Sequence, residues 1–312
     1  MNHIEKKIDS TIFLTDGGLE TDLIFNKNID LPHFAVFPLI ENSIHEKTLK
    51  NYYEEYLNIA KEHNTGFILE SPTWRANTDW AYKLGYSAKE LDQLNAKAIE
   101  LLTELKVSYQ NDIENILISG QIGPRGDGYL IDNKMTVSDA RTYHFDQIDV
   151  FKKSGVDMVS FLTVNYTDEA LGACLAAKQL KVPVIISYTV ETDGCLPSGE
   201  SLGEAITRID QETDNYPLYY MINCAHPSHF FDRIEGNHEW KNRIKGIRAN
   251  ASCKSHAELD DSTELDIGDL KDLGNWHSKL RSQLPQLKVY GGCCGTDASH
   301  VKTIIKTIKI NN

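Results

Sequence analysis

Eight times along the chain, a short apolar run rich in β-branched residues gives way to a longer amphipathic segment. The runs fall at 12–18 (IFLTDGG), 66–71 (GFILES), 115–120 (NILISG), 157–163 (DMVSFLT), 183–190 (PVIISYTV), 218–223 (LYYMIN), 244–249 (IKGIRA) and 288–292 (KVYGG). The segments that follow them carry helical periodicity at about 43–63, 87–109, 138–154, 168–180, 201–214, 228–234, 269–284 and from 298 on. Strands that alternate with helices pair in parallel, because each helix is the crossover that returns the chain to the same end of the sheet. Eight such units predict a single-domain α/β fold over residues 1–312, a closed (β/α)8 TIM barrel. The competing doubly wound sheet carries a glycine-rich phosphate loop after its first strand, and DGGLE is not GxGxxG.

Charge and cysteine usage narrow the function. Against 32 basic residues stand 45 acidic ones, a net charge of -13. With no basic stripe, nucleic acid and anionic membranes are poor partners. The opening MNHIEKKIDSTIFLTDGG holds no apolar run of signal-peptide length, and no window approaches the roughly 20 apolar residues of a bilayer span. The expected location is cytoplasmic. In a reducing compartment the six cysteines read as thiols or metal ligands rather than a disulfide framework.

A barrel of this type places its active site at the C-terminal ends of its strands. Those ends read Asp16-Gly17-Gly18, Glu70 with Trp74-Arg75, Gln121, Leu162-Thr163 with Asn165-Tyr166, Glu191 with Asp193, Asn223-Cys224, Asn250 with Ser252, and Cys293-Cys294. Cys224 ends strand six and the cysteine pair ends strand eight, with one strand between, so three sulfurs can converge. Three thiolates suit Zn2+ and leave its fourth position open, the arrangement of a catalytic site. The flanking glycines of GGCCGT let the backbone turn tightly enough for both side chains to reach one ion. The plainer alternative is small buried cysteines filling a core, since there is no CxxC pair. An open thiolate-zinc position has a use: a substrate thiol with a pKa of about 8.5 loses its proton there and stays nucleophilic. Its sulfur can then attack the methyl group of a sulfonium.

With these residues in place, the sequence resembles the homocysteine S-methyltransferases. That family shares a module with betaine–homocysteine methyltransferase and with the homocysteine domain of cobalamin-dependent methionine synthase. The matching pieces are Asp16-Gly17-Gly18, Gln121-Ile122-Gly123-Pro124, Val156-Asp157, 187–199 (SYTVETDGCLPSG), Asn223-Cys224, 249–260 (ANASCKSHAELD) and GGCCGT. They run from end to end in family order. The resemblance implies zinc as cofactor, held by Cys224, Cys293 and Cys294, and methyl transfer to homocysteine to give methionine. Its partners would be a small-molecule thiol acceptor and a sulfonium donor, S-methylmethionine or S-adenosylmethionine, because no cobalamin or folate module is added. It also implies that Asp16, with the amides of Gly17 and Gly18, helps hold the amino acid.

One departure matters. The family usually sets a Glu at the end of strand four, in a Phe-Glu-Thr run, against the substrate ammonium; here the run is Phe161-Leu162-Thr163. A Leu cannot offset an ammonium charge, and an unpaired charge in a closed site is costly. Either Glu70 supplies the carboxylate from strand two, forming an altered recognition pair with Arg75, or the acceptor is a different thiol or a selenol. A zinc-binding or redox-sensing barrel without turnover is the reading from another class. Asn223 and Asn250 are expected to orient the site by hydrogen bonds or to serve as turn residues. His226 and His229 read as loop and helix-start residues rather than ligands, with Ser228 as N-cap. Cys174 reads as core, Cys195 and Cys253 as incidental rim thiols, and Trp80, Tyr82 and Tyr86 as packing of a loop over the barrel. The long segments 120–137 and 250–268 are placed for function.

Overall fold

The computed structural model describes residues 3–310; positions 1–2 and 311–312 of the expected domain lie outside them. Eight parallel strands close into a barrel in sequence order. They are β1 (Phe13–Leu14), β2 (Gly66–Glu70), β3 (Ile116–Ile122), β4 (Met158–Val164), β5 (Val184–Tyr188), β6 (Tyr220–Asn223), β7 (Ile244–Ala249) and β8 (Val289–Gly292). A helix follows each strand: α1 (Ser43–Glu62), α2 (Ala88–Tyr109), α3 (Val137–Lys153), α4 (Thr167–Leu180), α5 (Leu202–Thr213), α6 (Pro227–Ile234), α7 (Leu270–Gln283) and α8 (Ala298–Ile310). All eight expected units are present.

Local chemistry sets the helix starts. Asn42 accepts from the amides of Ile44 and His45 at α1, and Ser87/Glu90 and Ser201/Glu204 form capping boxes at α2 and α5. At α6 the expectation fails by two residues: the N-cap is His226, not Ser228. Pro227 is the cause. It has no N–H to lose and a preset φ, so it takes the first helical position and pushes the cap to the residue before it.

Two apolar clusters divide the interior. The larger lies between the strands and the helical ring. The smaller fills the barrel itself with Phe13, Ile68, Leu117, Met158, Ile185 and Val289. Ile4 and Ile8 belong to that inner cluster, so an N-terminal helix, His3–Ser10, closes the bottom of the barrel. The sequence reading missed this helix. It also overextended the first strand: the structure keeps Phe13–Leu14 and leaves Asp16-Gly17-Gly18 as loop beyond the rim. Among the described residues no helix is long and apolar enough to cross a membrane.

Candidate active site

The cysteines converge as their positions at the rim require. One ligand atom each from Cys224, Cys293 and Cys294 falls within a 4.8 Å group, and this is the one such cluster among the described residues. The Cys224 and Cys294 sulfurs are 3.9 Å apart. The Cys224 and Cys293 sulfurs are closer still, in direct contact. Sulfurs packed this closely lie within bonding reach, and only the reduced pair can offer two thiolates to a metal. The other cysteines stay apart: Cys174 is buried, Cys195 partly so and Cys253 exposed.

The cluster sits on strained backbone that its surroundings hold. Cys224 and Thr163 both have left-handed backbones, with φ of +53° and +60°. Non-glycine residues of this kind cost about 1–3 kcal/mol each and gather at functional sites. Three donors fix the Cys224 carbonyl: His256 Nε2 at 2.6 Å, Asn250 Nδ2 at 3.2 Å and Thr189 Oγ1 at 3.4 Å. Asn223 ties the rim together. Its Oδ1 accepts from the Thr163 amide and from Ser187 Oγ, and its Nδ2 donates to Thr163 Oγ1 and lies 3.9 Å from Cys293 Sγ. The register between β4 and β5 shifts between Phe161 and Val164. A bulge of this kind re-aims side chains beside a site, and here it presents Leu162 and Thr163 to the cavity. Gly18 runs so close to strand eight that a Cβ on it would sit 2.5 Å from Cys293 O.

The histidines do not join the cluster. His226 turns its Nδ1 to Ser228 Oγ at 2.8 Å, and burial lowers its pKa to about 4. His229 bonds the Cys253 carbonyl.

The family scan matches residues 13–308 to the model described as homocysteine S-methyltransferase. The chain belongs to the homocysteine S-methyltransferase family. It is 23% identical over 333 aligned residues to homocysteine S-methyltransferase 1 of Brassica oleracea var. italica, covering 95% of this chain and 93% of that one. It is 21% identical to the selenocysteine Se-methyltransferase of the same plant, over 69% and 65% of the two chains. Its fold matches the metallated form of the homocysteine methyltransferase MmuM of Escherichia coli with a TM-score of 0.73, at 15% identity over 95% and 96% of the chains. This homocysteine S-methyltransferase family member is therefore a methyltransferase built on a TIM barrel.

Two adjoining cavities lie over the cluster of this family member. A narrow recess of about 40 Å³ is bordered by Asp16, Glu20, Leu162, Asn223, Arg248 and the three cysteines. A wider chamber of about 360 Å³ shares Thr21, Phe34, Trp74, Tyr129 and Cys294 with it. The 120–137 loop supplies Tyr129, which borders the recess with Cys294 and stacks on His256 with ring centroids 4.0 Å apart. The 250–268 loop supplies His256 and Asp260.

The expected Glu70–Arg75 pair does not form. Glu70 ends β2 with its side chain turned into the barrel, where its Oε1 accepts from Ser160 Oγ at 2.9 Å; it does not border the recess. Arg75 borders the chamber instead, 3.5 Å from Asp127, with its guanidinium between the Trp74 and Trp80 rings at 4.7 and 3.9 Å. Trp80 sits on a short helix, Thr78–Lys83, and Tyr86 packs on Phe37, as expected of a covering loop; Tyr82 is 82% exposed and packs on nothing.

Burial pushes the Glu70 carboxyl up to about 7, against the pull of Arg248 and Ser160. The folded protein therefore holds this proton more tightly than the unfolded chain does. Its stability falls as pH rises from the ordinary value of 4.5 to about 7 and is flat above. Glu70→Gln is expected to be more stable than the parent at pH 8, by on the order of 1–3 kcal/mol, and nearly equal at pH 4.5. Denaturant unfolding at the two pH values checks this.

Sequence reading passed over two residues here. Arg248 was read only as part of a strand, yet a charged residue inside an apolar barrel strand needs a partner, and it finds Asp16 Oδ1 at 2.8 Å. Glu20 followed Asp-Gly-Gly as an unremarked acid.

Proposed function

We propose that this chain transfers a methyl group from a sulfonium donor to the thiol of L-homocysteine, giving methionine, with zinc held by Cys224, Cys293 and Cys294. The observation that carries this reading is the gathering of three cysteine sulfurs at the wall of a recess that adjoins a wider chamber. The donor set fits the metal: three soft sulfurs and no competing imidazole in the group. Burial, with the Glu20 carboxylate adding to it, pushes the Cys294 thiol up to about 12, so thiolates at this place call for a cation. Zinc, when bound, supplies the positive charge that keeps an acceptor thiol deprotonated yet nucleophilic.

The chain's own residues do the rest. The bonds to the Cys224 carbonyl and the Asn223 amide fix the sulfurs before substrate arrives. The recess takes the acceptor. The chamber, with Trp74, Tyr129 and Phe34 and the carboxylates of Asp127, Asp260 and Asp266, suits a cationic donor, since aromatic faces and carboxylates both attract a sulfonium. The acceptor sulfur forms the new S–CH3 bond with its own electron pair. The donor's S–CH3 electron pair stays on the departing sulfur, which leaves as a neutral thioether.

The test uses reduced, zinc-loaded protein, homocysteine with a 13C backbone, and S-methylmethionine or S-adenosylmethionine with deuterated methyl groups. Methionine carrying both labels is the expected product. Its absence with both donors, zinc being bound, would overturn the reading. A selenol acceptor is the second reading, favoured by the apolar Leu162 wall and the named activity of one relative; faster methylation of selenocysteine than of homocysteine would establish it.

A further inference from the structure

We propose that Glu20, and not a strand-four residue, is the carboxylate that receives the ammonium group of the acceptor amino acid in the recess. The inference rests on reading that recess as the acceptor's seat. Among the described residues Asp16 and Glu20 are the only acids that border it, and Arg248 is the only base. Asp16 is already committed: its Oδ1 takes Arg248 Nη2 at 2.8 Å, and its Oδ2 takes the Tyr52 hydroxyl at 3.2 Å. A carboxylate in a buried ion pair has little charge left for a ligand. Among the described residues Glu20 has no such partner, and Arg248 and Arg75 act on its charge only from further off.

The position of Glu20 follows from the backbone. Gly18 packs on the Cys293 carbonyl, and Glu20 lies two residues further on, close enough for its charge to act on Cys294. On strand four the bulge turns Leu162 into the same recess. The space is narrow, about 40 Å³, and both residues border it. An ammonium group would meet hydrocarbon at Leu162 and an unclaimed carboxylate at Glu20. Burial pushes that carboxyl up to about 7 although Arg248 and Arg75 pull it down, and a bound ammonium would add to their pull. The acceptor class this selects is a thiol or selenol carrying an α-ammonium, not a simple thiol.

Binding separates this from the reaction itself. Calorimetry on the reduced, zinc-loaded protein compares L-homocysteine with 4-sulfanylbutanoate, the same chain without the amine. The parent is expected to bind homocysteine about 10- to 100-fold more tightly, the value of one charge-assisted hydrogen bond. Glu20→Gln, nearly isosteric, is expected to bring the two ligands within about threefold of each other. Adding Leu162→Glu to Glu20→Gln is expected to restore the preference by returning a carboxylate to the recess at strand four. A parent without preference, or a Glu20→Gln variant that keeps it, overturns the proposal. A parent that shows the preference, loses it in Glu20→Gln and yet forms no methionine overturns the proposed reaction and leaves the role of Glu20 standing.

Discussion

Cys294→Ala is expected to leave the reduced protein folded but unable to retain zinc through dialysis, and to lower methyl transfer by at least about 10³-fold. The change removes one of three gathered sulfurs. Losing a partner that merely orients a ligand already costs about 10- to 100-fold in metal affinity, so losing a ligand costs more. A metal that supplies several kcal/mol at the reacting sulfur corresponds to about three decades of rate or more. Cys253→Ala is the control: Cys253 is exposed and outside the cluster, and its loss should change neither zinc content nor rate. Metal analysis by mass spectrometry beside the labelled-methionine assay reads both. A Cys294→Ala protein that keeps one zinc and turns over normally would place the metal elsewhere.

Arg248→Met is expected to cost about 3–5 kcal/mol of stability at pH 8. The guanidinium is buried and, from its place on β7, binds two other strand ends: Asp16 Oδ1 and the Gly17 carbonyl beyond β1, and the Gly292 carbonyl of β8. Methionine fills much of the volume but leaves the Asp16 carboxylate buried without a cation, bonded by the neutral Tyr52 hydroxyl. Burial already raises the Asp16 pKa, and Arg248 is the strongest influence lowering it. Without Arg248 the carboxyl rises further. The folded variant then holds a proton that the unfolded chain gives up, so the loss is greatest at high pH and shrinks as acid protonates Asp16. Adding Asp16→Asn should recover part of the loss at pH 8. Denaturant unfolding at pH 5 and pH 8 measures it; a cost below about 1 kcal/mol at both would mean that the pair contributes little to the rim.

The barrel was legible because its signals are periodic. Eight apolar runs each followed by an amphipathic segment admit few topologies, and strands six and eight place Cys224 beside Cys293-Cys294 without any knowledge of side-chain direction. What was not legible depends on direction. Glu70 and Glu20 look alike in sequence, each an acid near a strand end. Only the pleat shows that Glu70 points into the barrel against Ser160, while the turn after Gly18 brings Glu20 to the recess. The N-terminal helix has no strand before it and so fell outside the repeating pattern, although its Ile4–Ile8 spacing marks one buried face. The cap at α6 was misplaced because Ser228 is the better cap by residue type, and Pro227 overrides residue type.

The most direct measurement is the zinc K-edge absorption spectrum of the reduced, zinc-loaded protein, recorded with and without L-homocysteine. The account predicts three sulfur neighbours without the acceptor and four with it. Imidazole nitrogen in the shell, or a spectrum that homocysteine leaves unchanged, would contradict it.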